Sequence, residues 1–362
     1  MSEPRLPPVE AALEAGLREG VAPGLSAVVL RRGVLVHEGA GGDAERVPLR
    51  RALRPDDLFD VASLTKVMAT GSLAALLVDA GALELDAPAG RWLPKMREGE
   101  KADVTVRHLL AHASGWPAWR PFSRQVSGRA AMLEAVLATP LEAPPGTRAV
   151  YSDLGFIALG AVVERAAGAP LDALFEARVA APLGLADTLF VPAGPEGERR
   201  RAGRSFAATR RLAERAVGQG EVDDDNAFAM GGVAGHAGLF STARDVARLG
   251  QAWLDALSGR GGWLGRATAE RFAARDATPG SERALAWDTP SPGGSLGTRL
   301  GRGPLGAVGH LGFTGVSLWL DRDRELVCAL LTNHVHPAGN DRRRINAFRA
   351  RFHDAVAEAL GT

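Results

Sequence analysis

Residues 60–70 read DVASLTKVMAT. From Ser63 to Ala80 the apolar residues Leu64, Val67, Met68, Leu73, Leu76 and Leu77 recur at helical spacing, which predicts a long helix with one buried face. On such a helix Ser63 and Lys66, three residues apart, share a face. Ser63 falls in the first turn, where unpaired backbone N–H groups and the helix dipole favour a developing negative charge. A serine hydroxyl becomes a useful nucleophile only when a neighbouring group takes its proton. Lysine can do so once its pKa is lowered; arginine never gives up its proton. The chain has 43 basic residues, of which only Lys66, Lys95 and Lys101 are lysines and the other 40 are arginines. Lysine is therefore used beside Ser63 in a chain that otherwise prefers arginine.

The same scarcity marks a second position. Tyr151 is the only tyrosine in a chain with 12 phenylalanines and seven tryptophans. It opens YSDLGFIALG, just before a predicted helix from Ser152 to Gly168 that Ser152 or Asp153 would cap and Gly168 would close. A phenol beside Lys66 can act as base toward Ser63 or as acid toward a leaving group, a contribution of about 10²–10⁴ in rate. A third stretch is GHLGFTGVSLWL, residues 309–320. A strand carrying His310, Leu311 and Gly312 can run close past the serine, because glycine permits close backbone approach. The Phe313 N–H would then join that of Ser63 as an oxyanion hole, each donor worth about 10²–10³.

Bulk properties narrow the class. The chain has 362 residues, more than one hydrophobic core usually serves, and 46% of them are apolar, enough for two lobes. A net charge of +1 gives no general pull toward nucleic acid or anionic membrane. No run of about 18 apolar residues occurs. The single cysteine, Cys328, lies in the apolar run LVCALL and fits a reducing compartment. The first ten residues carry two acids and no apolar core, unlike a secretory signal. The expectation is a soluble cytoplasmic protein acting on a small molecule, with no nucleic-acid or membrane partner.

Along the chain, PVEAALEAGLREG reads as a helix and residues 25–41 as a hairpin about Arg31–Gly33. Helical patterns follow at residues 104–114, with Thr105 as N-cap, at 130–139 and at 152–168. LGFTGVSLWL and ELVCALLTN form a second hairpin about the turn DRDR, and residues 343–360 form an amphipathic helix. Residues 192–226 and 276–306 read as loops, and the seven arginines between 199 and 215 as a solvated face. The expected fold class is α/β (α+β): a mostly antiparallel sheet flanked by helices, with an inserted helical lobe. Residues 1–80 and 285–362 would form the sheet domain and 81–284 the helical one, with the site at their interface.

In this order, SLTK at 63–66, YSD at 151–153 and HLG at 310–312 resemble the serine β-lactamase and penicillin-binding-protein superfamily. The closer likeness is to the branch of class C β-lactamases, D-alanyl-D-alanine peptidases and related esterases. VTVRHLLAHASG, PPGTRAVYSDLGFIALGAVVERAAG, GGVAGHAGLFSTARDVARLG and the C-terminal hairpin extend it over about residues 8–358. The resemblance implies a β-lactamase/transpeptidase-like fold, Ser63 as the acylated nucleophile, Lys66 and Tyr151 as its proton-handling partners, Gly312 on the strand lining the site, and no cofactor.

Two positions depart from the antibiotic-handling members. Asp153 stands where asparagine is common; beside Lys66 it would favour the ammonium and move the base role toward Tyr151, unless it caps its helix instead. His310 and Leu311 replace the cation and hydroxyl of a K-[ST]-G strand, and a mostly neutral histidine holds a substrate carboxylate poorly. These departures favour a serine hydrolase acting through an acyl-enzyme on carboxylic esters or small amides. The alternatives are a penicillin-recognising D,D-carboxypeptidase or class C-like β-lactamase, and an inactive binding protein on this scaffold. Trp116 and Trp119 are candidates for an apolar wall. No metal ligands are expected: His108 and His112 lack the glutamate of a zinc-protease helix, and Asp223–Asp225 lack calcium-loop spacing. His334 and His336 follow a strand, and His236, in GGVAGHAGLF, has no assigned role.

Overall fold

Both ends of the chain contribute to one sheet. The computed structural model describes residues 5–211, 215–339 and 341–361. Strands β1 (Gly24–Arg31) and β2 (Val34–Glu45) form the expected hairpin. Its turn residues Arg32 and Gly33 both have positive φ, 54° and 75°, which matches the twist of the flanking strands. After the short edge strand β3 (Arg51–Ala52), the chain enters β4 (Phe59–Asp60), which leads directly to Ser63. With β5 (Leu189–Phe190) and β6 (Leu239–Ser241), β4 forms a three-stranded sheet of order β4-β6-β5. Strands β7 (Ala307–Leu311), β8 (Ser317–Asp321) and β9 (Leu326–Thr332) complete a six-stranded sheet of order β3-β2-β1-β9-β8-β7, antiparallel throughout.

Helices cover both faces of this sheet, which explains why β9 is one continuous apolar run instead of an alternating one. On one face Val29, Cys328, Leu330 and Trp319 meet Val9 and Leu13 of α1 (Pro7–Arg18) and Phe348, Phe352 and Val356 of the C-terminal helix Arg342–Ala359. On the other, Val28, Val327, Ala329, Leu318 and Leu320 join the larger core with the helix Ala243–Leu257. A Cβ on Gly250 of that helix would lie 2.8–3.0 Å from methyl groups of Val327, Leu320 and Leu318, so a larger residue there would require those side chains to shift.

Along the chain between β4 and β5 come α2 (Ser72–Asp79), α3 (Val106–Leu110), α4 (Arg129–Ala138) and α5 (Asp153–Ala167). Thr105 caps α3 by accepting the His108 N–H at 3.2 Å. Ser152 caps α5, and Gly168, at φ 71°, closes it. The fold is mixed α/β, with antiparallel sheets flanked by helices.

Three local expectations are corrected. The helix expected over Ser63–Ala80 begins at Leu64 and runs as a wider π turn over Lys66–Gly71 before α2. There Ser72 Oγ donates to Val67 O at 2.8 Å, and Gly71 is pressed against Ala286, 2.7 Å from where its Cβ would lie. LGFTGVSLWL is not one strand: β7 stops at Leu311, and a turn with the Gly312 N–H on Val316 O at 2.8 Å leads into β8. The stretch 192–226 contains the helix Pro195–Arg201 and ends in the helix Asp225–Ala229. Its arginines also pair with acids more than a plain solvated face would: Arg210 with Asp223, Arg211 with Glu45 and Arg215 with Asp225. Among the described residues no single helix is long and apolar enough to cross a membrane.

Candidate active site

The turn from β4 into the π segment is strained. Ala62 has φ 47°, a left-handed conformation costing a non-glycine residue about 1–3 kcal/mol. It is held by the Ala62 N–H, which donates to Asp60 Oδ1 at 2.8 Å, and by the Val61 N–H, which donates to Leu239 O at 3.1 Å. The turn leaves Ser63 half-buried at the helix start and sends Lys66, fully buried, back toward it. Lys66 Nζ donates to Ser63 Oγ at 3.1 Å and to His236 O at 3.3 Å, and forms an ion pair with Asp153 Oδ1 at 2.7 Å. Burial alone would push the ammonium down, but Asp153, followed by Tyr151, outweighs it and the net direction is up. Lys66 is therefore a cation at rest.

Tyr151 lies in the same cluster. Lys66 Nζ is 4.7 Å and Arg283 Cζ 4.8 Å from the centre of its ring, and Ser63 and Lys66 both face its hydroxyl. Burial raises the phenol; Lys66 pulls it back, Asp153 adds to the rise, and the net direction is up. Two buried histidines flank the ring, His112 at 4.5 Å and His310 at 5.9 Å between centroids. The Ser152 N–H donates to His112 Nδ1 at 3.0 Å, which assigns the His112 proton to Nε2. His310 Nδ1 lies 2.8 Å from Leu311 O, which assigns its proton to Nδ1 and leaves a lone pair on Nε2. Both Nε2 atoms are buried without a hydrogen-bond partner among the described residues. Burial pushes His310 down to about 4, against the opposing pull of Asp288, so it is neutral at pH 7.

The end of β7 is fastened to the turn that leads into Ser63. A Cβ on Gly312 would lie 2.3 Å from Val316 Cγ2 and 2.8 Å from Val61 O, so glycine is required for this approach. Thr314 Oγ1 donates to Asp60 O at 2.8 Å, a second link between the segments. The N–H groups of Ser63 and Phe313 have no hydrogen-bond partner among the described residues. Unpaired N–H groups on these two adjoining segments suit an oxyanion produced by attack on a carbonyl.

The sequence model of the family described as Beta-lactamase matches residues 9–351. The chain belongs to the β-lactamase family. It is 33% identical over 374 residues to the N-acetylmuramyl-L-alanine amidase of Bacillus subtilis (strain 168), covering 92% of this chain and 82% of the relative. It is 34% identical over 375 residues to Esterase EstB of Burkholderia gladioli, covering 91% and 90%. Among solved structures, EstCE1, a hydrolase with promiscuous acyltransferase activity, superposes with a TM-score of 0.74 at 22% identity over 97% of each chain, a likeness of fold. The chain is accordingly an enzyme, a serine hydrolase of the β-lactamase family.

In this β-lactamase-family site the structure brings Lys66 to Ser63, Tyr151 to Lys66, His310 to Tyr151, and Gly312, with Phe313 next to it, against Val61 and Ala62. Asp153 does not line the oxyanion region; its carboxylate lies on Lys66 and is 18% exposed, and Ser152 supplies the cap by accepting the Gly155 N–H at 3.2 Å. Trp116 is no wall of the cleft: it is buried in the core with Nε1 donating to Thr139 O at 2.9 Å, whereas Trp119 is 45% exposed. His236 contributes through its backbone, its carbonyl accepting from Lys66 while its ring contacts Asp224 Oδ1 at 3.0 Å. His112 and Arg283 carry no sequence signal that connects them with Ser63. Sequence spacing pairs His112 with His108, but its φ of 58° takes it out of the helix, and His108 completes the Thr105 cap. Arg283 comes from the Gly- and Ser-rich 276–306 stretch, which carries no periodic signal. Among the described residues no three His, Cys, Asp or Glu side chains are grouped to hold a metal ion.

Proposed function

We propose that the enzyme is an esterase-like hydrolase that transfers the acyl group of neutral carboxylic esters, or of small amides, to Ser63 and then to water. Ser63 Oγ attacks the carbonyl carbon, its proton passes to the Tyr151–Lys66 pair, and the carbonyl oxygen becomes an oxyanion between the Ser63 and Phe313 N–H groups. Collapse breaks the bond to the leaving alcohol or amine, which takes up the proton. Water then attacks the acyl carbon, gives its proton to the same pair, and the acid departs as Ser63 regains its hydrogen. With Lys66 held as a cation by Asp153, Tyr151 is the base and Lys66 stabilises its phenolate. Both groups are shifted upward, so the basic form is a minority at pH 7 and grows with pH.

The observation that carries the substrate class is the neutral, buried His310, followed by Leu311, at the end of β7. Neither gives a substrate carboxylate a charged seat, and a neutral acyl group needs none. The other cation near Tyr151, Arg283, is already paired with Asp288. The test is turnover of p-nitrophenyl butyrate and a chromogenic cephalosporin by wild type and Ser63→Ala. Ester cleavage that falls at least about 10³-fold in Ser63→Ala, with little cephalosporin turnover, is expected. Ester cleavage surviving the substitution, or faster turnover of the cephalosporin, would overturn the proposal.

A further inference from the structure

Behind the oxyanion donors lies a cation that the chemistry above does not use. Arg349, on the C-terminal helix, is 3% exposed. Its Nη2 donates to Gly312 O at 2.8 Å and to Val316 O at 2.7 Å, and Nη1 donates to Asn346 Oδ1 at 2.7 Å. Its Nε has no hydrogen-bond partner among the described residues. Burial alone pushes the guanidinium down to about 9, with no carboxylate offsetting it, and it is still charged at neutral pH. An unpaired buried charge is costly, and packing alone is served as well by an apolar side chain of similar size.

The carbonyl it binds explains the charge. Gly312 C=O and Phe313 N–H belong to one peptide unit, planar and resonance-coupled, whose C=O and N–H point in opposite directions. A guanidinium on the carbonyl therefore lies behind the Phe313 N–H, which is unpaired among the described residues and follows Gly312, the residue packed on Val61 and Ala62 just before Ser63. Positive charge at the oxygen draws electron density from the nitrogen and makes the N–H a stronger donor, as in any chain of polarised hydrogen bonds. The Gly315 N–H donates to the same carbonyl at 3.1 Å. Val316 O accepts both Arg349 and the Gly312 N–H, so one side chain fixes both ends of the β7–β8 turn.

We propose that Arg349 is a positioning residue for acyl transfer, whose charge orients and polarises the Gly312–Phe313 peptide toward the oxyanion formed at Ser63. This rests on the acylation of Ser63 proposed above. Matched oxo- and thionoesters test it, because sulfur is a weak acceptor and gains little from the hole. Arg349→Gln, which keeps a donor without the charge, is expected to lower kcat on the oxoester by about tenfold to 10²-fold, with KM within about twofold. It is expected to lower thionoester turnover less, so that the oxo/thiono ratio falls at least about threefold; Arg349→Lys restores most of that ratio.

Arg349→Met supplies a second uncharged variant should the glutamine form fail to fold. Rates are referred to sites counted by fluorophosphonate labelling of Ser63. An equal fall on both esters, or a change in KM alone, would show a merely structural residue and overturn the proposal while leaving Ser63 acylation standing. Failure of the fluorophosphonate to label wild type at Ser63 would instead remove the acylation on which it rests.

Discussion

Replacing Asp153 by asparagine isolates the electrostatics of the site. Asp153 Oδ1 lies 2.7 Å from Lys66 Nζ, and its charge raises both Lys66 and Tyr151. At that separation two unit charges interact by about 1.5 kcal/mol if fully water-screened and about 6 kcal/mol at an effective dielectric constant of 20. Because Lys66 is fully buried and Asp153 18% exposed, the real value lies above the screened limit. The sign is the same for either base. A group whose pKa is raised is protonated, and inactive as a base, until the pH passes that pKa; removing the carboxylate lowers both groups and brings the basic form in at lower pH. Asp153→Asn is therefore expected to shift the rising limb of log kcat/KM against pH toward acid. On the neutral side of that limb each unit by which the base is lowered corresponds to a gain of about tenfold relative to each enzyme's own alkaline plateau. The assay is kcat/KM for p-nitrophenyl butyrate from pH 5.5 to the alkaline limit of stability. Profiles of wild type and variant that differ in height but superpose in pH would refute control of the base by Asp153.

Two further substitutions probe β7. His310→Lys with Leu311→Thr restores a cation and a hydroxyl to the strand; a charge-assisted hydrogen bond is worth about 1.5–3 kcal/mol, so acylation by benzylpenicillin, relative to ester turnover, is expected to rise at least about tenfold, as read by labelling of Ser63. Gly312→Ala places a methyl group 2.3 Å from Val316 Cγ2 and 2.8 Å from Val61 O; the strand must move off the nucleophile turn, and kcat is expected to fall by at least about 10² with the C-terminal helix still folded by circular dichroism.

What was legible in the sequence was what local geometry dictates. Helical phase placed Lys66 beside Ser63, a glycine permitted the approach of β7, and the scarcity of lysine and tyrosine singled out Lys66 and Tyr151. The orientation of Asp153 was not legible, because Ser152 and Asp153 are both good caps and only packing decides which side chain turns back. The turn inside LGFTGVSLWL was hidden by Phe313 and Val316, which continue the apolar run across it. His112, Arg283 and Arg349 reach the site by tertiary packing from a helix end, a loop and the far end of the chain, and no spacing rule connects them with Ser63. The π turn at Lys66–Gly71 carries Gly71 against Ala286, more than 200 residues apart in sequence, a contact no local pattern announces.

Acyl transfer through Ser63 is most directly examined by rapid acid quench of the enzyme during p-nitrophenyl butyrate turnover, followed by mass analysis of the intact chain and of its peptides. A chain heavier by one butyryl group, with the group on Ser63 and absent from Ser63→Ala, is expected. Turnover with no adduct at any quench time and full activity in Ser63→Ala, or an adduct on another residue, would contradict it.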